Sequence, residues 1–404
     1  MTRTFTETLQ TPVAGSCDVF VLGGGIAGIS AALAAARMGK KVLLCEKSFI
    51  LGGLATSGLV AIYLPLCDGM GRQVSFGIAE ELLRLSVSEW TDGKRGVENW
   101  LRGNDPARRT EKNHRFDVEF NPQLLALQTE QLLLDNGVEI LYGTSAAACV
   151  REGNRITAVI TENKTGRRAY TANTFVDASG DCDLAFFSGT PTVEFRQGNI
   201  LAAWYYFLQD GASRLKILGC SDIPDEDKTN GKTGPEKLVA RRFLGLDGKE
   251  LSEMTVLSHQ SMHRDVQSRM RTDPAAIPVT MATIPQVRMT RRIAGAVTMD
   301  TKDAHVPCEH SVGMVSDWKK RGPVYEVPFE ALYCPDTVNL ICAGRCVSNT
   351  DAMWDIMRVI PCCAVTGEAA GTAAAMADDF TRLSVPELQT VLRKNGVVIH
   401  ESEL

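Results

Sequence analysis

The sequence predicts an α/β fold: a parallel-sheet domain that carries a β-meander and has an α+β domain inserted into it. Three observations predict this. An apolar strand, a glycine turn, an alanine-rich helix and a second strand follow one another over residues 18–46. Short turns at Glu152-Gly153-Asn154 and Lys164-Thr165-Gly166 separate strand-like runs, as hairpins do. Strand-then-glycine segments then recur far away, at residues 174–181 and 339–345.

Composition sets the bounds. A chain of 404 residues with 44% hydrophobic and 23% charged residues buries a large core and fits two interleaved domains. Its net charge of −5 gives no reason to expect nucleic acid as a partner. No uninterrupted apolar run is long enough to span a bilayer. Met1–Ser16 is polar and reads as a short tail rather than a targeting segment, so a cytoplasmic location is expected. Twelve scattered cysteines form no paired CxxC motif and read as structural thiols in a reducing compartment.

The elements follow in order. Val19–Leu22 is a strand, Gly23–Gly28 a turn opening a helix, and Val42–Leu44 the next strand. A glycine loop at residues 51–58 precedes a helix over Gly77–Ser86. Residues 91–115 are polar and form an exposed excursion. Asn121-Pro122 caps a helix that Gly137 stops. Strands are expected at Glu139–Tyr142, Ala146–Arg151, Arg155–Asn163 and Arg168–Asn173, with a separate short strand opening at Thr174. From about 187 to 330 the strand–helix rhythm is lost, although Ala203–Leu208 reads as a strand and Ser252–Arg271 as a helix. A long Ala/Gly helix starts at Pro361, the favoured first helical position.

Each part of the first unit has a physical task in binding a dinucleotide. Gly23 permits the tight turn, Gly25 lets backbone approach a pyrophosphate, and Gly28 lets helix and sheet pack closely. The helix N-terminus offers free N–H groups to phosphate. Glu46, about twenty residues on, stands where an acid accepts hydrogen bonds from ribose hydroxyls.

Taken together, these segments resemble the FAD-dependent oxidoreductase family of the glutathione-reductase-like FAD-binding fold, including tricarballylate-dehydrogenase-like and related bacterial flavoenzymes. The carriers are Gly23–Gly28 with Glu46, Leu51-Gly52-Gly53, Val176–Asp181, Arg288–Arg292, Ala343-Gly344-Arg345, and Arg358–Pro361 leading into Gly367–Gly371. The resemblance implies a Rossmann-like FAD-binding domain with an inserted substrate domain. Its implied segments are 17–75, 116–186 and 331–404 for FAD, 76–115 for a helix and excursion, and 187–330 for substrate.

The resemblance further implies FAD contacts from Gly23, Gly25, Ile26, Ala27 and Gly28, and from Glu46 with Lys47 beside it. Gly52, Gly53 and Leu54 would pass the ribityl chain, and backbone around Ala148 would meet adenine. Gly180 and Asp181 would flank the pyrophosphate, while Gly344 and Arg345 close over the ribityl arm. The helix at Pro361 would point the N–H groups of Cys362 and Cys363 at the flavin N1/C2 edge.

Catalytic candidates are Arg358, Arg288, Asp351 and His310. Arginines pair with a substrate carboxylate or phosphate, and the alternative for Arg288, Arg291 and Arg292 is a solvated or ion-paired face. Asp351 stands where relatives carry a His, and Glu330 where they carry an Arg, so the substrate pocket is expected to differ. His305, Cys308 and His310 have the spacing of half a metal site but no evident fourth ligand, and read as a loop over the active site. His259 and His263 read as an exposed helix face.

A second complete glycine-turn βαβ unit is missing, and Cys67 stands alone where disulfide reductases carry a pair. The expected activity is hydride exchange between FAD and a small polar metabolite, with electrons otherwise passing to a redox partner protein or quinone. A flavin monooxygenase and an electron-relay subunit are the alternatives, and a homo-oligomer is left open.

Overall fold

The structure, a computed structural model, describes residues 4–88, 116–219 and 238–404. The excursion expected at 91–115 lies outside the described residues. Strand β1 (Val13–Leu22) leads into helix α1 (Ile26–Arg37) and β2 (Val42–Cys45). Short strands β3 (Ile62–Tyr63) and β4 (Val118–Glu119) pair with each other around helix α2 (Ile78–Val87). Helix α3 (Pro122–Asp135) starts under Asn121, whose side chain accepts from the N–H groups of Gln123 and Leu124. Then come β5 (Glu139–Leu141), β6 (Ser145–Glu152), β7 (Arg155–Asn163) and β8 (Gly166–Asp177).

These strands build one sheet in the order β5-β2-β1-β8-β7-β6. Its β5, β2, β1 and β8 neighbours are parallel, whereas β6, β7 and β8 form the antiparallel meander. Two expectations are corrected here. The run Arg168–Asn173 and the segment from Thr174 are one strand, because β8 serves two neighbours along a single edge. Its first half pairs with β7, and Phe175–Asp177 pair with a late strand at Leu340–Cys342. The N-terminal tail is also shorter than expected: the long β8 gives Val13–Ser16 a partner, with Val13 opposite Ala169 and Gly15 opposite Tyr170.

Beyond β8, helix α4 (Asp183–Ser188) is capped by Asp177, which accepts from the N–H groups of Leu184 and Ala185. The middle of the chain holds β9 (Thr192–Glu194), a hairpin of β10 (Tyr205–Gln209) and β11 (Ala212–Lys216), and helix α5 (Gly248–Thr272). It continues with β12 (Ile277–Met281), β13 (Arg291–Ile293), β14 (Ser311–Ser316) and β15 (Val324–Pro328). The chain then returns to the large sheet through β16 (Leu340–Cys342) and ends in α6 (Asp351–Met357), α7 (Ile360–Met376) and α8 (Val385–Lys394).

The core centres on α1 and α7 against the large sheet. The two helices are alanine- and glycine-rich because they nearly touch. A Cβ on Gly367 would lie 2.3 Å from the Ala27 carbonyl oxygen, and one on Gly371 2.1 Å from that of Ala31. Glu368, between those glycines, is 3% exposed and caps α2 by accepting from the Ile78 N–H at 2.8 Å. Among the described residues no single helix is long and apolar enough to cross a membrane, although the bent pair α6–α7 meets the length and composition test together.

Candidate active site

The glycine turn after β1 is built by close packing. A Cβ on Gly28 would fall 1.8 Å from the Gly23 carbonyl oxygen, whereas one on Gly25 would meet nothing within 4 Å. Gly25 therefore faces open space at the N-terminus of α1. Its neighbour Gly24 donates to the Glu46 carboxylate at 2.7 Å, and Glu46 also accepts from the Ser48 N–H and hydroxyl. Gly52 donates to the Gly24 carbonyl at 2.7 Å, which locks the second glycine loop alongside the first.

These loops open on a cavity of about 970 Å³. Gly23, Gly25, Ile26, Ala27, Glu46 and Lys47 line it, as do Gly52, Gly53 and Leu54. So do Gly180, Asp181, Arg345 and Cys363, together with the arginines Arg288 and Arg358. Segments from residues 23–54, 178–183 and 343–363 thus meet at one site. The cradle at Gly25, the helix N-terminus beside it and the acid at the tip of β2 fit a dinucleotide with its pyrophosphate on the turn.

Other expected residues stand behind the lining. Gly28, Gly344, Pro361 and Cys362 pack around it without facing it. Ala148 is paired with Ile160 in the meander, and the cavity edge there is formed by Thr144, Ser145 and Ala146 instead.

The N-terminus of α7 differs in one detail from expectation. The helix begins at Ile360, and the Cys363 N–H donates to the Val359 carbonyl at 2.9 Å. The Cys363 N–H is therefore spent, Pro361 has none, and Ile360 and Cys362 carry the N–H groups of the open first turn. Burial pushes the Cys363 thiol up to about 12 and the Cys362 thiol well above its ordinary value, so both are protonated. The eleven described cysteines are free thiols.

The basic run separates into three environments. Arg288 lines the cavity with its guanidinium over Trp204, 5.2 Å from the ring centroid. Arg291 pairs with Asp183 at 2.8 Å and lies over Phe186. Arg292 pairs with Asp351 at 3.3 Å and lies over Trp354, and burial lowers its affinity for its proton. All three are under 9% exposed, which excludes a solvated face. Burial, with Asp181 and Asp177 nearby, raises the Asp183 carboxyl to about 6.

Asp351 and His310 are outside the cavity lining. Asp351 is held by Arg292, and half-exposed His310 bonds Glu330 through Nδ1. His305 bonds Glu401, and the Cys308 N–H donates to Glu326, so the His-x-x-Cys-x-His run spreads over separate acids rather than covering the cavity. His263 is exposed and His259 half-buried on α5.

Several lining residues carried no motif: Trp204, Trp318, Val60, Ile62, Leu64 and Val256. The alternation of Val60, Ile62 and Leu64 was the available signal, but a strand of two residues is too short to stand out. Of the four catalytic candidates, Arg358 joins Arg288 in the cavity lining. Its Nε donates to Asp355 Oδ1 at 2.8 Å, and Lys319 Nζ reaches Asp355 Oδ2 at 2.9 Å. The two cations hold the Asp355 carboxyl below its ordinary value despite complete burial.

The family described as FAD dependent oxidoreductase matches residues 18–204 and 245–392. A thioredoxin reductase of Ureaplasma parvum is 35% identical over 71 residues, 18% of this chain and 23% of that protein. A probable electron transfer flavoprotein-quinone oxidoreductase of Escherichia coli, YgcN, is 29% identical over 155 residues, 36% of this chain and 32% of that protein. The matches therefore span a third or less of these curated relatives. Among solved structures, a geranylgeranyl bacteriochlorophyll reductase-like protein from Thermoplasma acidophilum is 13% identical, with a TM-score of 0.46 over 94% of this chain and 83% of that one.

Proposed function

The chain belongs to the FAD dependent oxidoreductase family, and on that premise we propose that it exchanges a hydride between flavin N5 and a carbon of a small metabolite, with no nicotinamide-binding domain of its own. It is an FAD-dependent oxidoreductase with a mixed α/β fold. The observation that supports the finer reading is the convergence of three distant strand-to-glycine segments, together with Arg288 and Arg358, on one cavity.

The chain's residues have separable tasks in this proposal. The N–H groups opening α1 would hold the pyrophosphate, and Glu46, already oriented by Gly24 and Ser48, would receive a ribose hydroxyl at the free position of Oε2. Arg345, whose Nη1 donates to the Val287 carbonyl, bridges the cofactor side and the inserted region. The open first turn of α7 would offer a positive dipole end to negative charge on a bound flavin. Trp204 and Trp318, which line the cavity, would exclude water from the reacting face. Asp351 and His310 have no part in this assignment, because their partners hold them elsewhere.

The division into FAD segments 17–75, 116–186 and 331–404 and a substrate region 187–330 belongs to the same proposal, as do a cytoplasmic location and a redox partner protein or quinone as the second electron carrier. The test is an anaerobic screen of metabolites against the purified yellow protein. Bleaching of the flavin absorption by a metabolite alone is expected. Reduction only by NAD(P)H followed by oxygen incorporation, or only by a protein donor, would replace this reading with a monooxygenase or an electron relay.

A further inference from the structure

One wall of the cavity is unused by the cofactor-binding motifs. Val60, Ile62 and Leu64 alternate through β3 and its flanks and all line the cavity, whereas Ala61 and Tyr63 between them are fully buried in the core. Trp204 and Trp318 bring two indole rings to the same space. Of these five side chains only the two indoles carry a hydrogen-bonding group, and both N–H groups are spent: Trp204 Nε1 donates to the Gly219 carbonyl and Trp318 Nε1 to the Asp355 carbonyl, each at 2.9 Å. Such a wall favours an apolar body.

At the edge of this wall stands a cation with donors to spare. The Arg358 side chain is 8% exposed and lines the cavity. Its Nε and Nη2 both donate to Asp355 Oδ1, which uses two of the five N–H groups of a guanidinium. Both hydrogens on Nη1 remain. Asp355 is itself shared with Lys319, so this carboxylate is divided between two cations. The arginine lies over Trp318, 6.0 Å from the ring centroid, and next to the N-terminus of α7, whose dipole adds charge of the same sign. A buried positive charge beside an apolar wall is satisfied by an arriving anion.

From this geometry we infer that the substrate is an apolar-bodied carboxylate, its ring or chain seated against Val60, Ile62, Leu64 and the two tryptophans and its carboxylate received by Arg358, with Asp355 as the positioning residue. This rests on the flavin reading and narrows it: the small polar metabolite becomes an amphipathic one. Asp355 fixes the plane of the guanidinium by accepting from Nε and Nη2, which leaves Nη1 for the ligand, and Lys319 shares the Asp355 charge.

The test is titration of the oxidised, flavin-loaded protein with cinnamate, its uncharged analogue cinnamyl alcohol, and succinate, followed by perturbation of flavin absorption and by equilibrium dialysis. The oxidised ring carries no charge, so any charge preference belongs to the added ligand. Cinnamate is expected to bind at least tenfold more tightly than either comparator. Arg358→Met is expected to close the gap between cinnamate and cinnamyl alcohol, and Arg358→Lys to restore part of it. Asp355→Asn is expected to weaken cinnamate several-fold with cinnamyl alcohol unchanged. Tighter binding of succinate, equal binding of acid and alcohol by the unaltered protein, or an undiminished preference in Arg358→Met would overturn the inference and leave the flavin reading intact. A protein that never takes up FAD would instead remove the flavin reading itself.

Discussion

Replacing Glu368 by Gln should make the protein more stable at alkaline pH, although the side chain is buried and hydrogen-bonded. Glu368 lies on α7 between the glycines that let this helix meet α1, and its carboxylate accepts from the Ile78 N–H. Burial, more than neighbouring Glu81, raises its carboxyl from 4.5 to about 7, while the Ile78 N–H and Arg37 act against this. The folded state therefore holds a proton between pH 4.5 and 7 that the unfolded chain has released. Stability from this group is present below pH 4.5 and is lost as pH rises through 7. At about 1.36 kcal/mol per pK unit, the full penalty above pH 7 is about 3 kcal/mol. Gln keeps an acceptor for Ile78 and carries no charge. With roughly 2.1 cal/mol/K of unfolding entropy per residue, that difference shifts the melting temperature by about 4 °C in a chain this long. Differential scanning calorimetry of Glu368→Gln and the unaltered protein at pH 5 and pH 8.5 measures it. The variant should gain at pH 8.5 and gain little at pH 5. An equal shift at both values, or a loss at pH 8.5, would refute the reasoning, because a pure packing effect has no pH dependence in this range.

Three other outcomes are expected. Gly28→Ala places a methyl against the Gly23 carbonyl, where no flexible side chain can give way; it should destabilise the fold by about 3 kcal/mol, at the upper end of overpacking, and lower flavin content, read from the absorption of the purified protein. Glu46→Ala should release FAD on dialysis, whereas Glu330→Ala, at a residue bonded to half-exposed His310, should retain it; equal retention would remove the ribose assignment. Arg291→Ala removes the ion-pair partner of Asp183, with Lys47 still nearby, and should lower stability by about 2 kcal/mol at pH 8, less than a fully buried pair because Asp183 is partly exposed. Denaturant titration should show that loss shrinking by pH 5, where a carboxyl raised to about 6 is already protonated in the folded state.

Local chemistry was legible where the chain carries it within one turn or one strand. The sequence by itself determined the glycine turn at Gly23–Gly28, the acid at Glu46, the hairpin turns of the meander and the Asn121 cap. Each depends on backbone conformation or hydrogen bonding between near neighbours. The family resemblance, carried by the recurring strand-then-glycine segments, further implied that 178–181 and 343–345 belong to one site. What the sequence left undecided depends on which distant groups share a surface. Arg288, Arg291 and Arg292 look alike in sequence, yet strand β13 and its lead-in send one to the cavity and two to Asp183 and Asp351. Continuity of β8 across residues 166–177 depended on having β7 and β16 as successive neighbours. The apolar wall of Val60, Ile62, Leu64, Trp204 and Trp318, and the sharing of Asp355 between Arg358 and Lys319, arise only when separated segments pack. Side-chain periodicity can say that a residue faces inward, but only the tertiary structure decides whether it meets core or cavity, because that depends on what is packed opposite it.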